Sequence, residues 1–376
     1  MIEPDVKDWT WVLHEPCPDC GYDAAAVDRR RIGELLRADA LGWTAVLALP
    51  RATRRPDDST WSALEYACHV RDVHRTMAGR LALLLAEDDP TFADWDQDAT
   101  AVEEGYDRQD PAVVGPEVLE AAEAAGSAYD ALRDADESTW SRRGRRSNGS
   151  VFTVDTLARY HLHDVVHHAH DVRRLAVEAT RSAYDADAGA YAEVTARVLE
   201  EHAVELDSFA ARVGARGAVL EIGSGGGRDA RALEARGLRV RRTDVSPGFV
   251  ERLVEQGHDA VVLDPLTDDL GGPWDGVWAQ ASLLHVARDD LPLVLGRLAG
   301  ATRPGGELLL GLKEGHGERW SVHGRVRAPR WFTFWTEEQL RAVLDGAGWD
   351  VSAVRRSEGS DGQPWLTIRA SRRGDG

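Results

Sequence analysis

The sequence is short of cysteine, of long apolar runs and of positive charge, and each shortage excludes something. Three cysteines (Cys17, Cys20, Cys68) in 376 residues cannot make a disulfide framework, and a reducing compartment would keep them as thiols. No apolar run is long enough to cross a bilayer, and the opening MIEPDVKDW lacks the basic and apolar regions of a signal peptide, so a cytoplasmic protein is expected. Lys and Arg number 45 against 64 Asp and Glu, a formal net charge of -19. Nucleic-acid backbones and anionic membranes would repel such a chain at long range, which argues against both as main partners. The local basic run Arg142-Arg143-Gly144-Arg145-Arg146 reads as a solvated loop.

What is present is the composition of a globular protein, 43% hydrophobic and 29% charged, in a chain longer than one core usually organises, so two domains are expected. The most informative stretch is AVLEIGSGGGRDA, Ala218 to Ala230. An apolar run suited to a buried parallel strand leads into Gly223-Ser224-Gly225-Gly226-Gly227, and a helix-forming run follows. Glycines there permit positive φ and leave no Cβ between the main chain and a ligand crossing the strand end. Glu221 gives E-x-G-x-G-x-G, and a carboxylate at that place does not suit a pyrophosphate. Asp244 ends a second strand-like run from Leu238, where an acid can accept both ribose hydroxyls. Asp264 ends a third from Ala260, placed to accept from an adenine amino group. Successive β-α-β spacing accounts for all three. A dinucleotide-binding domain and a cofactor-free one remain the competing readings of a glycine-rich turn.

These residues resemble the class I S-adenosylmethionine-dependent methyltransferase family from about Tyr184 to Arg373, with WDGVWAQASLLHV (Trp274 to Val286) and RPGGELLLGLKEG (Arg303 to Gly315) as further matches. The resemblance implies an α/β Rossmann-like domain with a seven-stranded sheet over residues 217–376, preceded by linker and lid helices over 179–216. It implies that Glu221, Gly223, Gly225 and Gly227 line the methionine and ribose side, Asp244 holds the ribose and Asp264 the adenine. Ser224, Val245, Pro265 and Gln280 complete the implied cofactor set.

The first half reads differently. Residues 1–25 form an arm with Cys17-Pro18-Asp19-Cys20. A tetrahedral zinc site there would need ligands from elsewhere, and a packed arm with two half-buried thiols is the alternative. Four helical patterns follow over 26–49, 60–87, 112–135 and 152–178, with Ser59 or Thr60 and Thr153 as N-caps, predicting an antiparallel four-helix bundle. YHLHDVVHHAHDV sets five histidines between His161 and His170. His163 and His167 are four apart and share a helix face. With His69 from a facing helix they can offer a divalent metal three neutral imidazoles and leave open positions. His161 and His168 share another face, His170 is the best substitute ligand, and His14, His74 and His202 read as ordinary residues. The stretch from Arg29 to Val177 resembles the DinB-like helical bundle family, whose three-histidine metal site falls on His69, His163 and His167, with zinc, iron or nickel as the implied metals. Asp164 and Asp171 are placed to orient imidazoles; a bundle that keeps its histidines only as polar core is the other reading.

At the catalytic end, His285 and Lys313 are the candidate bases, with Glu314 beside them. By its position alone His285 reads equally as a helix cap, and Tyr184 and Tyr191 read evenly as lid or packing residues. Trp320, Trp331, Phe332, Phe334 and Trp335 could wall an acceptor site, although Phe332 and Phe334 alternate like a strand. Trp349 to Val354 and Trp365 to Ala370 read as a closing hairpin. The function expected is methyl transfer to a small molecule, a thiol or imidazole metabolite held by the metal bundle. Two alternatives stand beside it: a DinB-type thiol S-transferase or isomerase fused to an independent methyltransferase, and a ligand-binding sensor. A homodimer through the bundle stays open.

Overall fold

A computed structural model describes residues 8–93, 95–197, 200–322, 326, 328–359 and 362–374. The chain divides into two compact units, one running to Ala179 and including Arg319–Ser321, the other beginning at Thr180. Residues 180–216, expected as linker and lid, group with the second unit. No helix among the described residues is long and apolar enough to cross a membrane.

The first unit holds α1 (Ile32–Ala40), α2 (Trp43–Leu47), α3 (Ala63–Ala86), α4 (Gln97–Glu103), α5 (Pro111–Asp130), α6 (Glu137–Trp140), the hairpin β1 (Arg143–Arg145) and β2 (Val151–Thr153), and α7 (Val154–Asp171). Helix α1 packs on α5 and α7, and α3 packs on the same two. Helix α3 buries Leu64, Ala67, Val70, Val73, Met77, Leu81 and Leu84, a stripe at three- and four-residue spacing that turns one face to the core. Its N-cap is Ser62, in a capping box with Glu65, and not Ser59 or Thr60. The reason is local: the Asp57 carboxylate takes the Ser59 N–H and both hydroxyls of Ser59 and Thr60 and so holds them in a turn ahead of the helix. Thr153 caps α7. The first helical pattern is broken into 3-10 turns at Ala24–Ala26 and Arg29–Arg31 followed by α1 and α2. Trp320 belongs to this unit and lies against Gly42, where a Cβ would come within 1.8 Å of the indole.

Helix α8 (Arg173–Ala186) leads into the second unit, where α9 (Ala188–Val194) and α10 (Glu200–Val213) precede the sheet. Its strands are β3 (Ala218–Ile222), β4 (Arg239–Asp244), β5 (Ala260–Val262), β6 (Trp274–Gln280), β7 (Thr302–Glu314), β8 (Glu318–Ser321, of which only Glu318 groups with this unit), β9 (Arg330–Trp335), β10 (Trp349–Glu358) and β11 (Pro364–Arg372), and its helices α11 (Arg228–Glu234), α12 (Pro247–Glu255), α13 (Leu291–Gly300) and α14 (Glu337–Gly346). The order is β10-β11-β7-β6-β3-β4-β5. Neighbours from β7 to β5 run parallel, whereas β10 and β11 are antiparallel. The sheet has nine strands and not the expected seven, because the aromatic stretch after Gly315 adds β8 and β9. All six residues of β9 are buried, so Phe332 and Phe334 do not alternate with exposed neighbours: this strand is covered on both faces.

Two-residue periodicity sends alternate side chains to opposite faces. Leu220, Val277, Leu308 and Leu310 join Leu291, Val294, Leu295 and Leu298 in one core. Val219, Trp278 and Leu309 join Leu206, Phe209, Val213 and Leu233 in the other. From β3 the chain goes outward through β4 and β5, then returns to β6 on the other side. That reversal opens a crevice at the carboxyl ends of β3, β4 and β6, where ligands of open α/β sheets bind.

Candidate functional site

The crevice is built by the turn after β3. Gly223, Gly225 and Gly227 have φ of +75°, +51° and +73°, a left-handed backbone that non-glycine residues resist. A Cβ at Gly223 would lie 2.4 Å from Ser282 Cβ, so the turn and the end of β6 touch because position 223 has no side chain. Ala281 itself sits at φ +57°, a strained alanine beside the crevice.

Asp244 ends β4 and is fixed from two sides: Gly225 N–H donates to Oδ2 at 2.9 Å and Ser246 N–H to Oδ1 at 2.9 Å. Burial raises its pKa to about 6 against the pull of these amides, with Asp185 adding like-charge repulsion. Glu221 is buried in β3, accepts from the Ser224 hydroxyl, and is raised by burial to about 8. Thr243 ties the two strand ends, its hydroxyl donating to Glu221 O at 2.6 Å. Val245 and Gln280 are half-buried at neighbouring strand ends, and Pro265 is buried. Asp264 Oδ1 accepts from the N–H of Leu266 at 2.9 Å, so one of its oxygens shapes its own turn. Gln280 Oε1 and Ser282 Oγ are buried without a hydrogen-bond partner among the described residues. Two orphaned polar atoms on one crevice wall mark a surface made for something polar.

The raised Glu221 carboxyl has a consequence for stability. Its folded pKa, about 8, lies above the ordinary 4.5, so the fold favours the protonated form. That preference is complete below pH 4.5 and is lost as pH rises to about 8. In ligand-free protein, Glu221→Gln is expected to gain stability relative to the native chain by a few kcal/mol between pH 5 and pH 9, measured by denaturant melts. A difference independent of pH would contradict this.

Over the turn lie Tyr184, Tyr191 and Phe249. The Tyr191 ring is the group nearest Gly225, 3.9 Å from the place of a Cβ, and it contacts the rings of Tyr184 and Phe249 at 5.5 and 5.7 Å. The Asp185 carboxylate accepts from the Ser246 hydroxyl and the Gly248 N–H, which fastens this helix to the β4 end. His285 faces the Trp331 carbonyl through Nδ1 at 2.7 Å and the Tyr184 hydroxyl through Nε2 at 2.9 Å. A carbonyl only accepts, so Nδ1 carries the proton and Nε2 accepts from Tyr184 O–H. Arg330 donates to the same hydroxyl at 3.0 Å. Burial, with Arg330 and Lys313 as like charges, lowers His285 to about 3. Its imidazole is therefore neutral and its lone pair already engaged. Lys313 is buried near the end of β7, its ammonium 4.2 Å from the Phe332 ring centre. The Tyr184–His285–Arg330 group is not readable from the sequence, since its members are 101 and 146 residues apart.

In the first unit, the histidines expected as one metal site fall into two groups. His163 and His167 lie with Cys17 and Cys20, whereas His69 lies with Asp164 and His168. Helical geometry gives the reason: each residue advances about 100°, so 163 and 167 share one face of α7, and 164 and 168 share the next. Asp164 Oδ1 is 3.6 Å from His69 Nε2 and 3.5 Å from His168 Nε2. His168 Nδ1 contacts Asp171 Oδ2 at 2.9 Å. His161 pairs instead with His74, 3.0 Å apart and both buried, which gives His74 a partner within the core. His202 is likewise engaged, with Asp229 at 2.9 Å in the second unit.

No curated protein matches the chain. Among solved structures it is similar to the Burkholderia thailandensis 1,6-didemethyltoxoflavin-N1-methyltransferase, solved with bound 1,6-didemethyltoxoflavin and S-adenosylhomocysteine, at 22% identity over 53% of this chain and 88% of that one, with a TM-score of 0.43. The N-methyltransferase NodS of Bradyrhizobium japonicum, solved with S-adenosylhomocysteine, is similar at 18% identity over 46% and 87%, TM-score 0.37. The CcbJ methyltransferase of Streptomyces caelestis is similar at 16% identity over 46% and 90%, TM-score 0.38. Residues 190–354 match a family model described as a methyltransferase domain. That span takes in the glycine turn, Glu221, Asp244 and β3 to β7, and the C-terminal region of the chain is a methyltransferase domain.

Proposed function

We propose that the second unit binds S-adenosylmethionine and transfers its methyl group to a small molecule. The observation that carries this reading is Asp244, a carboxylate clamped by two backbone amides at the switch point of the sheet, beside a positive-φ glycine turn. It is suited to accept both hydroxyls of a ribose. Glu221 is suited to a cationic ligand: bound sulfonium and ammonium groups would compensate the ionised carboxylate that burial otherwise disfavours.

Methyl transfer from a sulfonium is an in-line displacement with a good leaving group, so the protein's work is alignment, exclusion of water and removal of a proton from the acceptor. Tyr184 and His285 offer a path for that proton. The acceptor gives it to the Tyr184 oxygen as Tyr184 passes its own to His285 Nε2, and Arg330 stabilises charge on the phenol oxygen. With its pKa lowered to about 3 by burial, His285 is a weak base, so the path suits an acceptor that becomes strongly acidic as the methyl group arrives, as a small thiol does.

The test is incubation of the full chain with methyl-labelled S-adenosylmethionine and a panel of such acceptors. With an acceptor found, Tyr184→Phe is expected to lower kcat about 100-fold while S-adenosylhomocysteine affinity stays within about twofold. An unchanged kcat would remove Tyr184 and His285 from the chemistry.

A second reading starts from the metal bundle that a DinB-like resemblance implies. His69 does not gather with His163 and His167; instead the ligand atoms of His69, Asp164 and His168 lie within 4.8 Å of one another, and both His69 ring nitrogens are buried without a hydrogen-bond partner among the described residues. Two imidazoles and a carboxylate leave open positions on a divalent metal, which would lower the pKa of a bound thiol. Loss of methyl transfer in His69→Ala would tie the metal to the acceptor; unchanged transfer would favour two independent activities.

A further inference from the structure

Near the N-terminus the chain has little regular structure to hold it. Trp9–Leu13, Ala24–Ala26 and Arg29–Arg31 are short 3-10 turns, yet Val12, Cys17, Cys20, Tyr22 and Ala24 are buried. The two cysteines are not joined to each other. They sit on a tight turn: Gly21 N–H donates to Cys17 O at 3.0 Å, Cys17 N–H to Tyr22 O at 2.8 Å, and Gly21 has φ +72°. This closed loop directs both sulfur atoms to the α7 face that carries His163 and His167.

We infer that Cys17, Cys20, His163 and His167 form a closed tetrahedral metal site of the zinc class, which fastens the N-terminal segment to α7. Their four ligand atoms all lie within 4.8 Å of one another. A tetrahedral zinc with sulfur at about 2.3 Å and nitrogen at about 2.0 Å sets sulfur and nitrogen roughly 3.6 Å apart. Cys17 Sγ and His167 Nδ1 are 3.7 Å apart, the edge of such a tetrahedron. His163 Nε2 is buried with no hydrogen-bond partner among the described residues, although its residue is only 3% exposed. Both spacings, C-x2-C and H-x3-H on a helix, are those of tetrahedral sites, and a set of two sulfurs and two imidazoles selects zinc over magnesium or calcium.

The surroundings suit a dry, permanent site. The Trp9 ring lies 5.7 Å from the His163 ring and 5.0 Å from His167, and Tyr22 lies 5.4 Å from His163. Tyr22 is itself held by its hydroxyl, which donates to Arg159 O at 2.8 Å. Asp171 Oδ1 stands 4.0 Å from His167 Nε2, on the side of the ring away from the sulfur, where an orienting carboxylate belongs. Four protein ligands leave no open position, so this metal stabilises and does not bind an acceptor. Its binding free energy becomes folding free energy of the segment.

The experiment is metal analysis of the tag-free full chain by mass spectrometry, with cobalt(II) exchanged into the native protein in parallel. About one equivalent of zinc is expected to be lost in Cys17→Ser/Cys20→Ser and retained in His69→Ala, so that any metal held by His69 is counted apart from it. The cobalt form is expected to show thiolate-to-cobalt charge transfer and intense tetrahedral ligand-field bands, a readout that needs no variant to fold. Three results would overturn the proposal: native protein without metal and without the cobalt bands, a zinc content that does not change on loss of both cysteines, or a Cys17–Cys20 disulfide found by non-reducing peptide mapping.

Discussion

Asp244→Ala is expected to weaken S-adenosylhomocysteine binding by at least about 100-fold, because a buried carboxylate accepting two ribose hydroxyls would contribute charge-assisted hydrogen bonds of about 1.5–3 kcal/mol each. The same change leaves the Gly225 and Ser246 amides without their acceptor, so the glycine turn loosens as the ligand contact is lost. Asp244→Asn separates the two effects. The amide retains an acceptor oxygen for one of the backbone groups but lacks the charge, and a loss of about tenfold is expected from it. Titration calorimetry at pH 7.5, above the value of about 6 to which burial raises Asp244, measures both. Below that value protonation of the native carboxyl should weaken binding in the same direction as the asparagine variant does. Equal affinity in native and alanine proteins would show that the ribose lies elsewhere.

Gly223→Val is expected to be strongly damaging to the second unit. A left-handed φ of +75° costs a β-branched residue more than the 1–2 kcal/mol typical of other residues. The new Cβ would also meet Ser282 Cβ at 2.4 Å. That neighbour cannot withdraw easily, since it follows Ala281, already in the left-handed region, whose N–H is bonded to Gly311 O at 3.1 Å. A loss of about 3–5 kcal/mol follows, a fall of roughly 6–20 °C in the melting temperature of a unit this size. Cofactor binding should go with it. Gly237→Val makes an informative control: φ there is +86° but nothing lies within 4 Å of the added Cβ, so it carries the conformational penalty without the clash. If both variants melt alike, steric contact with Ser282 is not what position 223 avoids.

The parts of this protein that were legible in sequence are those whose partners are close in sequence. The glycine turn, Glu221 and the acids ending β4 and β5 lie in successive β-α units, and each is placed by its own strand. The face of α7 shared by His163 and His167 was equally legible from helical periodicity, but His161 and His168, read as sharing another face, part company: His161 meets His74 and His168 meets Asp164. What periodicity could not give was what stands opposite each face. Cys17 meets His167 across 150 residues, and His69 meets Asp164 across 95, so the histidines were grouped with each other instead of with their true neighbours. His285 illustrates the same limit: its position after β6 was readable, but Tyr184 and the Trp331 carbonyl, which occupy both its nitrogens, come from distant segments. The alternation expected in β9 failed for a related reason, since whether the second face of a strand is covered depends on elements elsewhere in the fold.

The most direct test of the functional reading is equilibrium dialysis of the native full chain against labelled S-adenosylmethionine and, separately, labelled NAD. Retention of about one equivalent of S-adenosylmethionine, displaced by S-adenosylhomocysteine and absent in Asp244→Ala, with no retention of NAD, is the predicted result. Retention of NAD in its place, or S-adenosylmethionine bound equally well without Asp244, would contradict it.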